Sequence, residues 1–417
     1  MAEHRKRIFN NFISLSVVQG LSIFFPLIIF PYLLQILGVE GFGVFTLIQT
    51  VIMYADLLVS FGFGLTATKH IAKNISDKEK TNHIITSVYF IKIILFLIPL
   101  ILFLIAAVFI PYLRNHFVLI LISCMYVLGN LLFPDWYFQG IQKMRSITIV
   151  AFISKCISLL LIILFVKQRA DVGYAIMAIS VGNFIAGLVG FFILINSIPI
   201  KLQLAPKRYI LSFFKESAYV FSSIILVPLY SSVNIFILRA FTNPLMVGYY
   251  AIAEKIFSAV SMLTSIANRT FYPHLSQLYS KSVLAYKKNV QKISVLFLLS
   301  FSFLGLMQFI SADFIVRFIS GKQNVQDIGY AVEVLKIMSI GVLFSPFGSF
   351  FFQLLIIQGQ KKSAVKNIFS VVVINLFSAS TLAYLYGGIG MAINLCLVVT
   401  FIAMFNYFSY RKKLSQG

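Results

Sequence analysis

Long apolar runs, following one another with only short polar breaks, constrain this chain more than any other feature. A helix needs about 20 mainly apolar residues to cross the hydrocarbon core of a bilayer. Twelve stretches meet that requirement, at approximately 12–37, 42–66, 84–108, 117–138, 148–167, 172–196, 216–238, 247–272, 291–312, 331–357, 364–385 and 389–409. The connections are short, and none is long or polar enough to form a separate soluble domain. Only 11% of the 417 residues are charged, against about 25% in a soluble domain. No soluble core could bury so much apolar surface, so lipid is the natural solvent. The expected fold is all-α and transmembrane. The opening MAEHRKRIFNNFISLSVVQGLSIFF begins like a signal peptide. Its apolar stretch runs on to about Leu37 with no small-residue cleavage site, so it is read as an uncleaved first span.

A formal charge of +22 would point to nucleic acid in a polar protein. Here the cations cluster in the breaks between apolar runs, which is the pattern of loop charges that orient a membrane protein. No nucleic-acid partner is expected. One alternating set of loops carries 23 Lys and Arg, and the other set carries 6. That asymmetry places both termini in the cytoplasm. Cys124, Cys156 and Cys396 lie inside apolar runs and match neither a disulfide framework nor metal-ligand spacing. No HExxH, GxSxG or P-loop motif is present, so no enzyme, cofactor or metal is expected. Without an ATP site, energy would come from an ion gradient or from consumption of the product on the far side.

The two halves resemble one another. ILGVEGFGVFTLIQ follows the first span and FTNPLMVGYYAIAE the seventh, which aligns Gly43 with Gly248. FQGIQKMRS aligns with IQGQKKS through Gly140 and Gly359, and DVGYAI aligns with GIGMAI. The offsets are 205, 219 and 217, as a duplication with small insertions would leave. Residues 1–200 then form an N-terminal lobe and 201–417 a C-terminal lobe. Each has six spans, and a pseudo-two-fold axis along the membrane normal relates them, a known transporter plan. Pro26 and Pro31 in the first span and Pro228 in the seventh suggest kinked helices suited to rocking, or simply static kinks.

Five cations fall outside the loop sets: Lys92, Lys155, Lys255, Arg269 and Lys336. Each intramembrane charge costs roughly 2.5–3.5 kcal/mol at a helix centre on insertion scales, and by default it marks function. Near a helix end, Arg269 and Lys336 could instead snorkel. Asp56 and Glu254 are the acids well inside spans, and are the candidates for coupling to Na⁺ or protons. In the eighth span Glu254, Ser258, Ser261, Ser265, Asn268 and Arg269 recur on one helical face. In the second span Gln49, Asp56 and Ser60 do the same, and adding 205 gives Glu254, Ser261 and Ser265. Matching polar stripes in two helices favour a hydrated cavity, although small polar residues also mediate helix packing. Glu254 and Lys255 are adjacent, so they point about a hundred degrees apart and are not expected to form a tidy ion pair. A cavity rich in Lys and Arg would suit an anionic substrate such as a diphosphate.

The passages VVQG (17–20), FPYLLQILGVEGFGVF (30–45), FGFGLTATKHIAK (61–73), PDWYFQGIQKM (134–144), GYYAIAEKI (248–256) and YPHLSQLYS (272–280) resemble, in order, those of Wzx-type O-antigen flippases. These form a polysaccharide-transporter branch of the multidrug/oligosaccharidyl-lipid/polysaccharide exporter superfamily. The resemblance implies two six-helix lobes around a cavity that opens alternately to either side of a bacterial inner membrane. It implies as substrate an undecaprenyl-diphosphate-linked oligosaccharide repeat unit, flipped outward from the cytoplasmic leaflet and passed to polysaccharide polymerase machinery. It also implies cationic residues, here Lys92 and Lys155 among them, for the headgroup, and a Na⁺ or H⁺ gradient for drive. A drug/cation antiporter of the same superfamily would instead need an acidic or neutral cavity. An ion channel or scaffold fits poorly with a twofold repeat of twelve spans.

Overall fold

The computed structural model describes residues 2–109, 114, 117–198, 205–321 and 325–415, with side chains omitted at 2–19, 21–24, 27, 106–107, 325–327 and 413–415. All regular structure among the described residues is helical. In chain order the helices are α1 Ala2–Ser60, α2 Phe63–Lys73, α3 Lys78–Phe109, α4 Phe117–Leu132, α5 Asp135–Gly140, α6 Met144–Phe165 and α7 Val172–Ser197. There follow α8 Lys207–Ile224, α9 Leu226–Ser231, α10 Val233–Phe241, α11 Pro244–Lys281, α12 Val283–Ile310, α13 Ala312–Ser320, α14 Val325–Ile357 and α15 Lys361–Ser415.

Ten helical segments among the described residues are long and apolar enough to cross a membrane. Two of them, Ile28–Lys73 with 46 residues and Lys361–Lys412 with 52, are about twice the length that one crossing needs. Each is broken by a glycine outside helical torsions, Gly38 at φ 73° and Gly387 at φ 58°. Only glycine adopts such torsions without strain, so each break reverses or redirects the chain. Counting each of these segments as two gives the twelve crossings expected from the apolar runs. Many large apolar side chains are exposed on α3, α6 and α12, among them Leu102, Phe152 and Leu299. In water that surface would aggregate; in a bilayer it faces acyl chains. The chain is a multi-pass membrane protein.

By contact density the chain divides into two compact units, one of Met1–Leu37 with Leu47–Ile225, the other of Gly38–Thr46 with Leu226–Gly417. Helix α8, which lies beyond the expected lobe boundary at residue 200, belongs to the first unit. Its attachment is visible in side chains. Glu216 accepts from Lys69 Nζ at 2.9 Å and lies 2.8 Å from His70 Nε2, while the Thr66 and Ser217 hydroxyls are 2.8 Å apart. Phe61 stacks on Phe214 and Phe221, each at 4.9 Å between centroids. These stacks hold the residue at φ 38°, a strained value for a side chain of that size. In the second unit, Gly43 and Gly248 lie at a backbone-to-backbone crossing. A Cβ at Gly43 would come 2.0 Å from Pro244 O, and one at Gly248 2.1 Å from Val39 O. The repeat alignment had paired these two glycines.

The prolines behave differently in the two units. Helix α1 keeps helical torsions through Pro26 and Pro31, whereas the seventh crossing is split into α8, α9 and α10 around Pro228.

Candidate functional site

In the first unit, Pro134 sets the arrangement. It has no N–H to offer the carbonyl one turn back, so Asn130 O is orphaned inside the membrane, and the break before α5 strands Leu131 O and Leu132 O as well. Lys92 Nζ donates to Asn130 O at 2.9 Å and reaches Leu131 O at 3.5 Å, and Tyr89 Oη donates to Leu132 O at 2.8 Å. The Asn130 amide donates in turn to Asp56 Oδ1 at 2.6 Å. Asn183 Nδ2 donates to Asn130 Oδ1 and to Tyr126 O, both at 2.9 Å. Asp56 and Asp135 both lie close enough to act on the Lys92 charge. Lys92, only 2% exposed, is therefore enclosed by acceptors of its own unit. Burying an ammonium is tolerable only when it is so paired.

Lys155 is placed otherwise. It sits near the middle of α6, half-buried, with Nζ 4.6 Å from the centroid of the Phe25 ring. That cation–π contact is worth about 0.5–2 kcal/mol. No acidic side chain among the described residues forms an ion pair with it. From residue 155 each end of the 22-residue helix is about 15 Å away, too far for the side chain to snorkel out easily.

In the second unit, Glu254 lies on a cavity of about 440 Å³. Ser258 and Ser261 of α11 line it beside Asn234 of α10 and Ser345 and Ser349 of α14. Ser258 Oγ donates to Glu254 Oε1 at 2.8 Å. Among the described residues, Glu254 Oε2 and Ser261 Oγ have no hydrogen-bond partner. Asn268 is 1% exposed; its amide donates to Ser349 Oγ at 2.6 Å, while its carbonyl oxygen is unpartnered. Lys255 Nζ approaches Glu254 Oε2 to 3.8 Å. This is an ion pair too long for a hydrogen bond, and closer than the expected divergence of adjacent side chains because both are long enough to lean together. Behind the cavity runs an uncharged relay: Asn375 Nδ2 to Asn234 Oδ1 at 3.0 Å, Asn394 Nδ2 to Asn375 Oδ1 at 2.7 Å, and Ser378 Oγ to Asn394 Oδ1 at 2.5 Å.

The structure thus brings Asp56 together with Lys92, and Glu254 together with Ser258 and Ser261. It does not gather all the expected residues. Gln49 and Ser60 are half-buried on α1. Ser265 is exposed and donates to Met262 O at 2.8 Å, and Arg269 is exposed on the same helix. Lys336 lies 5.9 Å from the Phe309 ring. Asn375 and Ser378 fall on a weak polar stripe of the eleventh span with Asn367 and Ser370, whereas Asp135 and the asparagines at 130, 183, 234 and 394 carry no such pattern. An amide inside an apolar run carries the same cost signal as a charge, only weaker, and could have marked them.

The family described as polysaccharide biosynthesis protein matches residues 8–279. A candidate O-antigen transporter of Escherichia coli strain K12 is 31% identical over 406 residues, which cover 95% of each chain. Among solved structures, the lipid II flippase MurJ in an inward closed conformation superposes with a TM-score of 0.71 at 16% identity, covering 95% of this chain and 87% of that one. An inward-facing multidrug-resistance MATE family transporter of the MOP superfamily gives 0.67 at 14% identity, covering 97% and 98%. At those identities the structures speak for the fold alone, two lobes and twelve helices. The long family match and the full-length sequence identity together mean that this chain belongs to the polysaccharide biosynthesis protein family, as its resemblance to the Wzx-type members implies.

Proposed function

We propose that this protein flips undecaprenyl-diphosphate-linked oligosaccharide repeat units from the cytoplasmic to the outer leaflet of a bacterial inner membrane, for synthesis of O-antigen or a related surface polysaccharide. The relative named as a candidate O-antigen transporter supports the substrate class, and a fold neighbour named as a lipid II flippase supports the reaction. The observation that carries the reading is Lys155, a cation in mid-helix with a ring beneath it and, among the described residues, no carboxylate paired to it. Keeping such a charge in the bilayer costs several kcal/mol, and an arriving diphosphate would offset that cost. Lys255, Arg269 and Lys336 supply further positive charge; several moderate contacts release a substrate more readily than one tight clamp does. The site is exposed alternately to the two sides, both termini lie in the cytoplasm, and the product passes to the polymerase machinery. A Na⁺ or H⁺ gradient supplies the drive, and Asp56, held between Asn130 and the Lys92 charge, carries the coupling.

The test is complementation of a strain lacking the gene. Lys155→Ala is expected to lower surface polysaccharide at least tenfold, the worth of about 1.4 kcal/mol, with lipid-linked repeat units accumulating and membrane abundance unchanged. Normal display from both Lys155→Ala and Lys255→Ala would remove the headgroup assignment. Asp56→Asn is expected to blunt gradient-dependent transport, and an unchanged response to Na⁺ and proton gradients would remove the coupling role.

A further inference from the structure

We infer that the cavity of the second unit is a saccharide subsite, taking a mono- or disaccharide portion of the cargo; this rests on the flippase reading above. Its volume of about 440 Å³ falls within the roughly 300–1,000 Å³ of small-molecule sites. A bare monovalent cation needs several oxygens converging at contact distance. This space is far too large for that, since it would hold about fifteen waters at roughly 30 Å³ each. The wall chemistry points the same way. Among the described residues, Glu254 Oε2, whose one charged neighbour is Lys255 at 3.8 Å, and Ser261 Oγ have no hydrogen-bond partner, and both can accept. A ligand dense in hydroxyl donors would satisfy both. Tyr230, Phe257 and Phe352 also line the space, offering flat apolar faces to the C–H face of a pyranose ring. A polyprenyl chain has no donor to offer Glu254 Oε2 or Ser261 Oγ and would leave both short of a hydrogen bond in hydrocarbon.

The experiment uses the full-length protein in lipid nanodiscs with two probes, undecaprenyl diphosphate and undecaprenyl-diphosphate-linked N-acetylglucosamine. Wild type is expected to bind the sugar-bearing probe at least tenfold more tightly. Ser261→Phe, which fills the cavity, and Ser258→Val, which removes a polar wall, are expected to erase that gain and leave undecaprenyl diphosphate binding within twofold. Retention of the gain by both variants, or equal loss for both probes, overturns the inference. Failure of wild type to bind either lipid would instead overturn the flippase reading. The subsite is then read directly, as protection of a Ser258→Cys thiol from maleimide by millimolar free N-acetylglucosamine disaccharide; protection supports the inference and its absence overturns it. A Na⁺ dependence lost in Glu254→Gln, with the sugar gain intact, assigns the space to a cation and also overturns it.

Discussion

Lys92→Met is the most discriminating perturbation, because the expected cargo-binding role and the observed enclosure of Lys92 make opposite forecasts for it. Methionine keeps the length of the side chain and removes the ammonium. Asn130 O then loses the donor at 2.9 Å and Leu131 O the one at 3.5 Å, and Asp56, which accepts from the Asn130 amide, loses a neighbouring positive charge. Breaking a buried charge cluster by removing one partner costs about 3–5 kcal/mol. For a unit of roughly 200 residues each kcal/mol moves Tm by about 2–4 °C, so a fall of roughly 6–20 °C is expected. Unfolding can be followed in detergent at one scan rate with a thiol-reactive dye. Cys124 is half-buried in the same unit, and Cys156→Ser in every variant removes the exposed thiol. Lys155→Met removes a charge whose contact among the described residues is a ring face at 4.6 Å, so it should melt no lower than wild type, because the charge it removes costs more in the bilayer than the contact it gives up. If Lys92→Met melts like wild type while export is lost, the ammonium serves the cargo and the carbonyl-capping argument fails.

Two further outcomes are expected. Gly43→Ala and Gly248→Ala each drive a methyl to about 2 Å from a backbone oxygen, and overpacking costs typically 1–3 kcal/mol; both should lose export, and wild-type export from either would refute the close crossing. Asp171 accepts the backbone N–H groups of Lys167 and Gln168 at 2.8 and 2.9 Å, with that of Lys167 foremost in holding its carboxyl below the usual carboxylate range. A depressed carboxyl stabilises the fold above its unfolded value of about 3.9 and loses that contribution as pH falls through the lower folded value. Acid melting of Asp171→Asn should therefore show a weaker pH dependence below about pH 4 than wild type, and identical profiles would remove the role.

The crossings were legible because a bilayer demands about 20 apolar residues from each helix whatever its neighbours are. The repeat aligns Gly43 with Gly248, but that the two meet backbone to backbone is a feature of the structure alone. What the sequence hid depends on tertiary neighbours. Lys92 finds its acceptors 38 residues away, on carbonyls that exist as free acceptors only because Pro134 interrupts the helix. Asp135 sat at the edge of an apolar run, where its depth in the fold had no sequence signal. The membership of α8 in the first unit rests on Glu216 meeting Lys69 and His70 across more than 140 positions. Along the stripe on α11, Glu254, Ser258 and Ser261 line the cavity while Ser265 is exposed and bonds its own helix, a difference that depends on the neighbouring helices and not on spacing.

The amide relay of the second unit has one more implication. Asn234, Asn375, Asn394 and Ser378 carry no charge in any protonation state, so nothing in that chain can feel a voltage or a change of acidity. The corresponding polar centre of the first unit is ionic, and moving one elementary charge through the field is worth about 2.3 kcal/mol per 100 mV. Two halves built to one plan have therefore parted ways: in one the buried asparagines join an ionic cluster that an electrochemical gradient can address, and in the other they form a brace beside Glu254 that such a gradient leaves untouched.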